Sequence, residues 1–155
     1  MWKTIKDFIW PKKCINCNKA GTYLCIDCMA TIDLIKKPEY FQFDKLKRLY
    51  VAVPYNNRLV QNLINLYKNY KDVGEDLANI LITHLKLLDK EINWNDFVIY
   101  PLDLEISKYV SKEFKIPIKE SGKNVLIVGL EFEGETFFKI AEELNAERVW
   151  GITIK

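Results

Sequence analysis

The sequence predicts an α/β fold: a mainly parallel sheet flanked by helices, preceded by a small N-terminal four-cysteine module. Three observations predict it. Apolar runs of strand length, "VAVPY", "FVIYPL", "NVLIVGL" and "RVWGITI", alternate with stretches of helical periodicity, the pattern of βαβ units. The connections are short, which favours right-handed crossovers and parallel neighbours. All four cysteines of the 155-residue chain fall between positions 14 and 28. With 49% hydrophobic and 28% charged residues, the chain can bury a core of its own, which excludes wholesale disorder.

Residues 1–35 are expected to form a short helix followed by the cysteine module. In "MWKTIKDFIWPKK", Trp2, Ile5 and Ile9 share a helix face with Phe8 beside it. Lys3, Lys6 and Asp7 interrupt any signal-peptide core, and no run reaches bilayer length. The expectation is a cytoplasmic protein without a membrane span, its first helix docked on the body rather than on a lipid surface. Cys14, Cys17, Cys25 and Cys28 read C-x2-C, seven residues, C-x2-C. Each pair makes a knuckle that aims two sulfurs at one point, with Gly21 turning the intervening "NKAGTYL" into a hairpin. Four thiolates suit one closed, tetrahedral, structural Zn²⁺ with no open position for catalysis. Disulfides and a redox or Fe–S centre are the alternatives. The first needs an oxidising compartment, and a thioredoxin-like pair needs a preceding strand that is not seen here.

Residues 36–48, with Pro38, Tyr40, Phe41 and Phe43, read as a packed linker, and 49–155 as the α/β domain. A strand over 49–55 ends at Pro54, which has no N–H to donate. Leu59, Val60, Leu63, Ile64, Tyr67 and Tyr70 predict a helix over 58–70, and Gly74 separates it from a second over 75–92. Then follow a strand over 97–102, a helix over 104–114, a strand over 124–130, a helix over 134–145 and a closing strand over 148–154. His84, the only histidine, shares an apolar face with Leu81, Leu85 and Leu88, which makes it a core-edge residue rather than a base.

Net charge is only +2, but residues 1–50 hold ten Lys or Arg against five Asp or Glu, and the remainder is acidic. That asymmetry points to a polyanion contact in the first fifty residues. Lys12, Lys13 and Lys19 are its candidate residues, with Trp10, Tyr23, Tyr40, Phe41 and Phe43 available to stack on bases. Packing of those aromatics on the sheet is the competing reading. The loop after the strand at 125–128 carries Gly129 and Gly134 ahead of a helix, as phosphate-binding loops do. It also carries Glu131, Glu133 and Glu135, where a phosphate would have to sit.

In order, these features resemble the ComF family of competence proteins, in which a zinc module precedes a type I phosphoribosyltransferase fold. Tyr55, Leu59, Leu63, Ile64, Leu66, Tyr70, Leu77 and Ala78 match the family's middle pattern. The resemblance implies a reduced phosphoribosyltransferase-like domain acting in DNA uptake. Its implied partners are single-stranded DNA and a helicase or other competence proteins. The family's acidic pair and Thr-Thr-Gly-x-Thr loop, which hold phosphoribosyl diphosphate, are degenerate here. Gly129 and Leu130 stand for the acids, and Phe132 and Glu133 for the first threonines; only Gly134 and Thr136 keep the loop's character. The Arg-rich stretch after "YPL" is missing, and "KIPIKESGKN" is a short connector where the family has a long flexible segment. The expectation is therefore a non-catalytic protein. A phosphoribosyltransferase with a divergent loop and a zinc-knuckle scaffold for protein contacts remain the alternatives.

Overall fold

The computed structural model describes residues 11–37, 39–40, 45–88 and 92–155. The expected N-terminal helix, Trp10, Pro38, Phe41 and Phe43 lie outside the described residues. Within them, a one-turn helix α1 (Ile26–Met29) belongs to the cysteine module. The body follows as β1 (Glu39–Tyr40), β2 (Leu46–Val51), α2 (Arg58–Asn69), α3 (Gly74–Leu88), β3 (Phe97–Pro101), α4 (Leu104–Phe114), β4 (Asn124–Val128), α5 (Gly134–Glu143) and β5 (Arg148–Thr153). The sheet order is β1-β2-β5-β4-β3. β2, β5, β4 and β3 are mutually parallel, and the two-residue β1 pairs antiparallel at the edge.

Alternation along the strands divides the core in two. Leu126, Val128, Trp150, Ile152 and Ile99 face α2, α3 and α4. Val125, Ile127, Val149 and Leu49 face α5, whose Phe137 and Ala141 are buried against them. Both faces are covered, so β4 reads as an unbroken apolar run rather than an alternating one. Helix starts follow local chemistry: Asn57 Oδ1 accepts from Val60 N at 3.0 Å, and Asp103 Oδ1 accepts from Ile106 N at 3.0 Å.

β2 begins at Leu46, inside the segment expected to be linker. Leu46 and Leu49 are buried on the α5 face, and the charged Lys47 and Arg48 between them hid the pattern. Past Val51 the chain stays bonded to β5, with Ala52 N donating to Thr153 O at 3.0 Å and Val53 N to Ile154 O at 2.8 Å; Pro54 then ends the pairing. α3 ends at Leu88 among the described residues, and 89–91 of the expected longer helix lie outside them.

The route from α4 to β4 is less direct than the expected single crossover. Residues 116–119 first run beside the outer edge of β3, where Ile99 N donates to Pro117 O at 2.8 Å and Lys119 N to Ile99 O at 2.9 Å, around a parallel bridge from Ile99 to Ile118. The chain then returns across β3 on the α5 face. A Cβ on Gly122 would stand 2.5 Å from Val98 Cγ2, so only glycine passes there. The crossovers β2 to β3 and β3 to residue 118 step toward the β3 edge over the α3 face, while β4 to β5 steps away from it over the α5 face. All three thus share one hand, as twisted parallel sheets require.

Candidate functional site

The four cysteines converge. Their sulfur atoms all lie within 4.8 Å of one another, and Cys17 Sγ is 3.5 Å from Cys25 Sγ. Tetrahedral Zn–S bonds of about 2.3 Å require S···S separations of about 3.8 Å, so the set fits one zinc-sized ion. The first knuckle is closed by its own backbone. Asn18 N donates to Cys14 O at 2.8 Å and Cys14 N to Lys19 O at 2.9 Å, with Asn18 in the left-handed region at φ 61°. The hairpin thus wraps the first C-x2-C, with Lys13 bridged to Ala20, rather than lying wholly between the two pairs as expected. Gly21, at φ 118°, follows the reversal. In the second pair, Cys25 precedes α1 and Cys28 lies within it.

Metal-free, these thiols disagree about ionisation. Burial opposes the Cys14 thiolate, yet the N–H groups of Cys25, Cys17 and Asn16 outweigh it and bring the thiol down to about 6. At Cys28 the Asn16 amide favours the thiolate, but the thiol of Cys25, burial and the other sulfurs push it up to about 12. A dication at the centre removes that conflict, because it stabilises all four thiolates together. Cys25 N points at Cys14 Sγ and Asn16 Nδ2 at Cys28 Sγ, both at 3.4 Å, as donors to thiolate sulfur would. Among the described residues, no other three His, Cys, Asp or Glu side chains converge this way.

The module is built into the body rather than hung from it. Cys14, Leu24, Cys25, Cys28 and Ile32 share one core with α2 and α3. Tyr23 N donates to Asp76 Oδ2 at 3.3 Å near the start of α3. Burial raises the Asp76 carboxyl above its ordinary range, against the N–H groups of Tyr23 and Leu24 that favour its charge. Asp76→Ala is therefore expected to cost about 1–2 kcal/mol, the loss of a charge-assisted bond at a part-buried site. Faster amide exchange at residues 21–25 should accompany it; unchanged exchange there would reject Asp76 as the anchor. His84 is buried as expected, its Nε2 2.8 Å from Ile35 O.

The three lysines expected to meet a polyanion all lie on the hairpin that wraps the first cysteine pair. Lys12 lies over the Tyr23 ring at 5.5 Å, Lys19 pairs with Asp27 at 3.2 Å, and Lys13 is exposed on the hairpin.

The loop after β4 folds down onto the end of β5. Gly129 N donates to Ile152 O at 2.9 Å, Ile154 N to Leu130 O at 3.1 Å and Phe132 N to Lys155 O at 2.6 Å. A Cβ on Gly129 would come within 3.0 Å of Phe137 Cζ, so this position is held small by the core. A cavity of about 260 Å³ lies at this end of β3 and β4, lined by Leu102, Asp103, Leu130, Glu131, Glu133 and Thr136. Its acids are engaged. Asp103 caps α4 and accepts from Tyr67 Oη at 2.8 Å, and Glu131 pairs with Lys155 Nζ at 3.2 Å. Glu133 directly precedes the first turn of α5. It makes no side-chain cap; its carboxylate instead accepts from Thr136 Oγ1 at 3.2 Å. Lys155 is the residue that sequence reasoning missed. Only 3% of its side chain is exposed, with the ammonium between Glu131, Gln61 and the Tyr55 ring. Nothing in the near-continuous apolar run of the closing strand marks the lysine that follows it as turning inward.

No known protein family, curated protein or solved structure matches the chain. Among the described residues, no helix is long and apolar enough to cross a membrane.

Proposed function

We propose that this chain is a ComF-like binding protein of DNA uptake, in which a zinc-stabilised module is docked on a phosphoribosyltransferase-like body that no longer transfers phosphoribosyl groups. One observation carries the non-catalytic reading: the mouth at the carboxyl ends of β3 and β4, where open α/β sheets take their ligands, is lined by the carboxylates of Asp103, Glu131 and Glu133, of which Glu131 is paired with Lys155. A phosphate dianion there would face Asp103 and Glu133, and each uncompensated like-charge contact costs on the order of 1 kcal/mol even when solvated.

Calorimetry with phosphoribosyl diphosphate and excess Mg²⁺ is expected to give no binding heat. Micromolar binding centred on residues 129–136 would overturn the reading in favour of a divergent phosphoribosyltransferase. For the DNA role, titration of labelled single-stranded DNA at several salt concentrations is the companion measurement, since phosphate contacts by lysine make affinity fall steeply with salt. The contact of Lys12 with the Tyr23 ring and the pairing of Lys19 with Asp27 favour a second reading, a zinc-knuckle scaffold for protein contacts. A flat, undetectable titration would select it.

A further inference from the structure

The four sulfurs of the cysteine cluster are not equally reachable. Cys14, Cys25 and Cys28 are buried, with 0%, 6% and 6% of their surface exposed, whereas Cys17 is exposed. The local fold accounts for the difference. Cys14 is held inside the hairpin, its N–H bonded to Lys19 O and its sulfur met by Cys25 N at 3.4 Å. Cys25 and Cys28 belong to the start and body of α1, in the core shared with α2 and α3. Cys17 closes the first knuckle just before Asn18 turns the chain through the left-handed region, and it stays at the surface. Its sulfur lies 3.5 Å from that of Cys25, a buried residue of the other pair.

A thiol that coordinates a metal is deprotonated outright, and the thiolate is the nucleophile of cysteine chemistry. Zn²⁺ has no redox chemistry of its own, so an oxidant must draw its electrons from sulfur. Susceptibility follows thiolate character and exposure, and reversible sensors set an exposed thiolate beside a resolving one. Cys17 and Cys25 stand in that relation. We propose that Cys17 is a site of modification by peroxide and that Cys25 resolves it, which makes the metal centre a reversible redox switch. The Cys17 thiolate attacks one peroxide oxygen; an S–O bond forms, the O–O bond breaks and hydroxide leaves. The Cys25 thiolate then attacks the sulfur of the sulfenic acid; an S–S bond forms, the S–O bond breaks and a second hydroxide leaves. The two sulfurs give up two electrons, and the peroxide is reduced to two hydroxides. Two of the four ligands are thereby lost, and with them the hold on the ion. The consequence reaches the body, because Leu24, Cys25 and Ile32 lie in one core with α2 and α3. Peroxide thus loosens the module from the body, and a dithiol with fresh zinc restores it.

The switch rests on the metal centre, and one experiment separates the two. The full chain, purified under reductant and assayed for zinc, is treated with hydrogen peroxide beside a chromogenic zinc chelator, and stopped samples are mapped by mass spectrometry. One equivalent of zinc is expected to leave in step with one Cys17–Cys25 disulfide. Dimedone, which traps sulfenic acids, should label Cys17 before any other cysteine. Amide exchange at residues 21–32 should quicken as zinc leaves, and reductant with added zinc should reverse both changes. Cys17→His keeps four ligands, since imidazole also binds zinc, and removes the exposed sulfur. Its zinc release should be about tenfold slower, because every sulfur left is buried. The disulfide map of the parent needs no variant and decides the matter should Cys17→His bind no metal. A chain that holds no zinc before peroxide rejects the metal centre and the switch together. A zinc-loaded chain that resists peroxide, first oxidises another pair, or releases zinc as fast as a zinc-loaded Cys17→His variant rejects the switch alone.

Discussion

Purified protein is expected to hold one zinc ion per chain, and Cys25→Ser to lose it along with the fold of the module. In small zinc domains, metal binding contributes on the order of 10 kcal/mol of folding free energy near neutral pH. Here the effect should reach beyond the module, because Cys14, Cys25 and Cys28 are buried in the same core as α2 and α3. A loss of a few kcal/mol from that shared core lowers the melting temperature of a domain this size by about 10 °C. Cys17→Ser separates metal from packing: Cys17 is exposed, so its loss removes a ligand and little buried surface. Elemental analysis and thermal melts of both variants should therefore show equal zinc loss and a smaller melting shift for Cys17→Ser. Less than half an equivalent of zinc in the parent, with two disulfides by mass, would falsify the metal centre.

The parts of the molecule legible in the sequence are those governed by local pattern. The strands at 97–101, 124–128 and 148–153 and the helices after Asn57 and Asp103 follow from apolar periodicity. The cysteine cluster was legible for the same reason, since two C-x2-C knuckles carry their geometry with them. What stayed hidden depends on residues distant in the chain. Lys47 and Arg48 look like linker charges until β5 is laid beside them and Trp150 meets Arg48. Ile118 reads as connector because a single parallel bridge leaves no periodicity. Glu131 looks like a bare repulsive charge because its partner, Lys155, lies twenty-four positions on. Like-charge reasoning along the sequence therefore overstated the charge of the loop, although its acids still outnumber the cation there.

Lys155→Met is expected to destabilise the protein by about 1–3 kcal/mol, less than the full cost of breaking a buried ion pair because Glu131 keeps 36% exposure. Methionine keeps the apolar stem, so the loss isolates the ammonium and its contacts with Glu131, Gln61 and the Tyr55 ring. Glu131→Gln in the same chain should recover part of the loss, since no carboxylate is then left without its cation. The coupling read from this double-mutant cycle should exceed that of the exposed pair Lys108–Glu105, which sits on one turn of α4 and is worth a few tenths of a kcal/mol, roughly 0.2–0.5. Equal couplings would mean that Lys155 only covers the loop and does not hold it. The same variant bears on function. Removing the Lys155 ammonium leaves Asp103, Glu131 and Glu133 facing the cavity, so Lys155→Met should open residues 129–133 to proteolysis without creating affinity for phosphate. Phosphate binding by Lys155→Met, but not by the parent, would instead show that the lysine masks a working cradle beneath it.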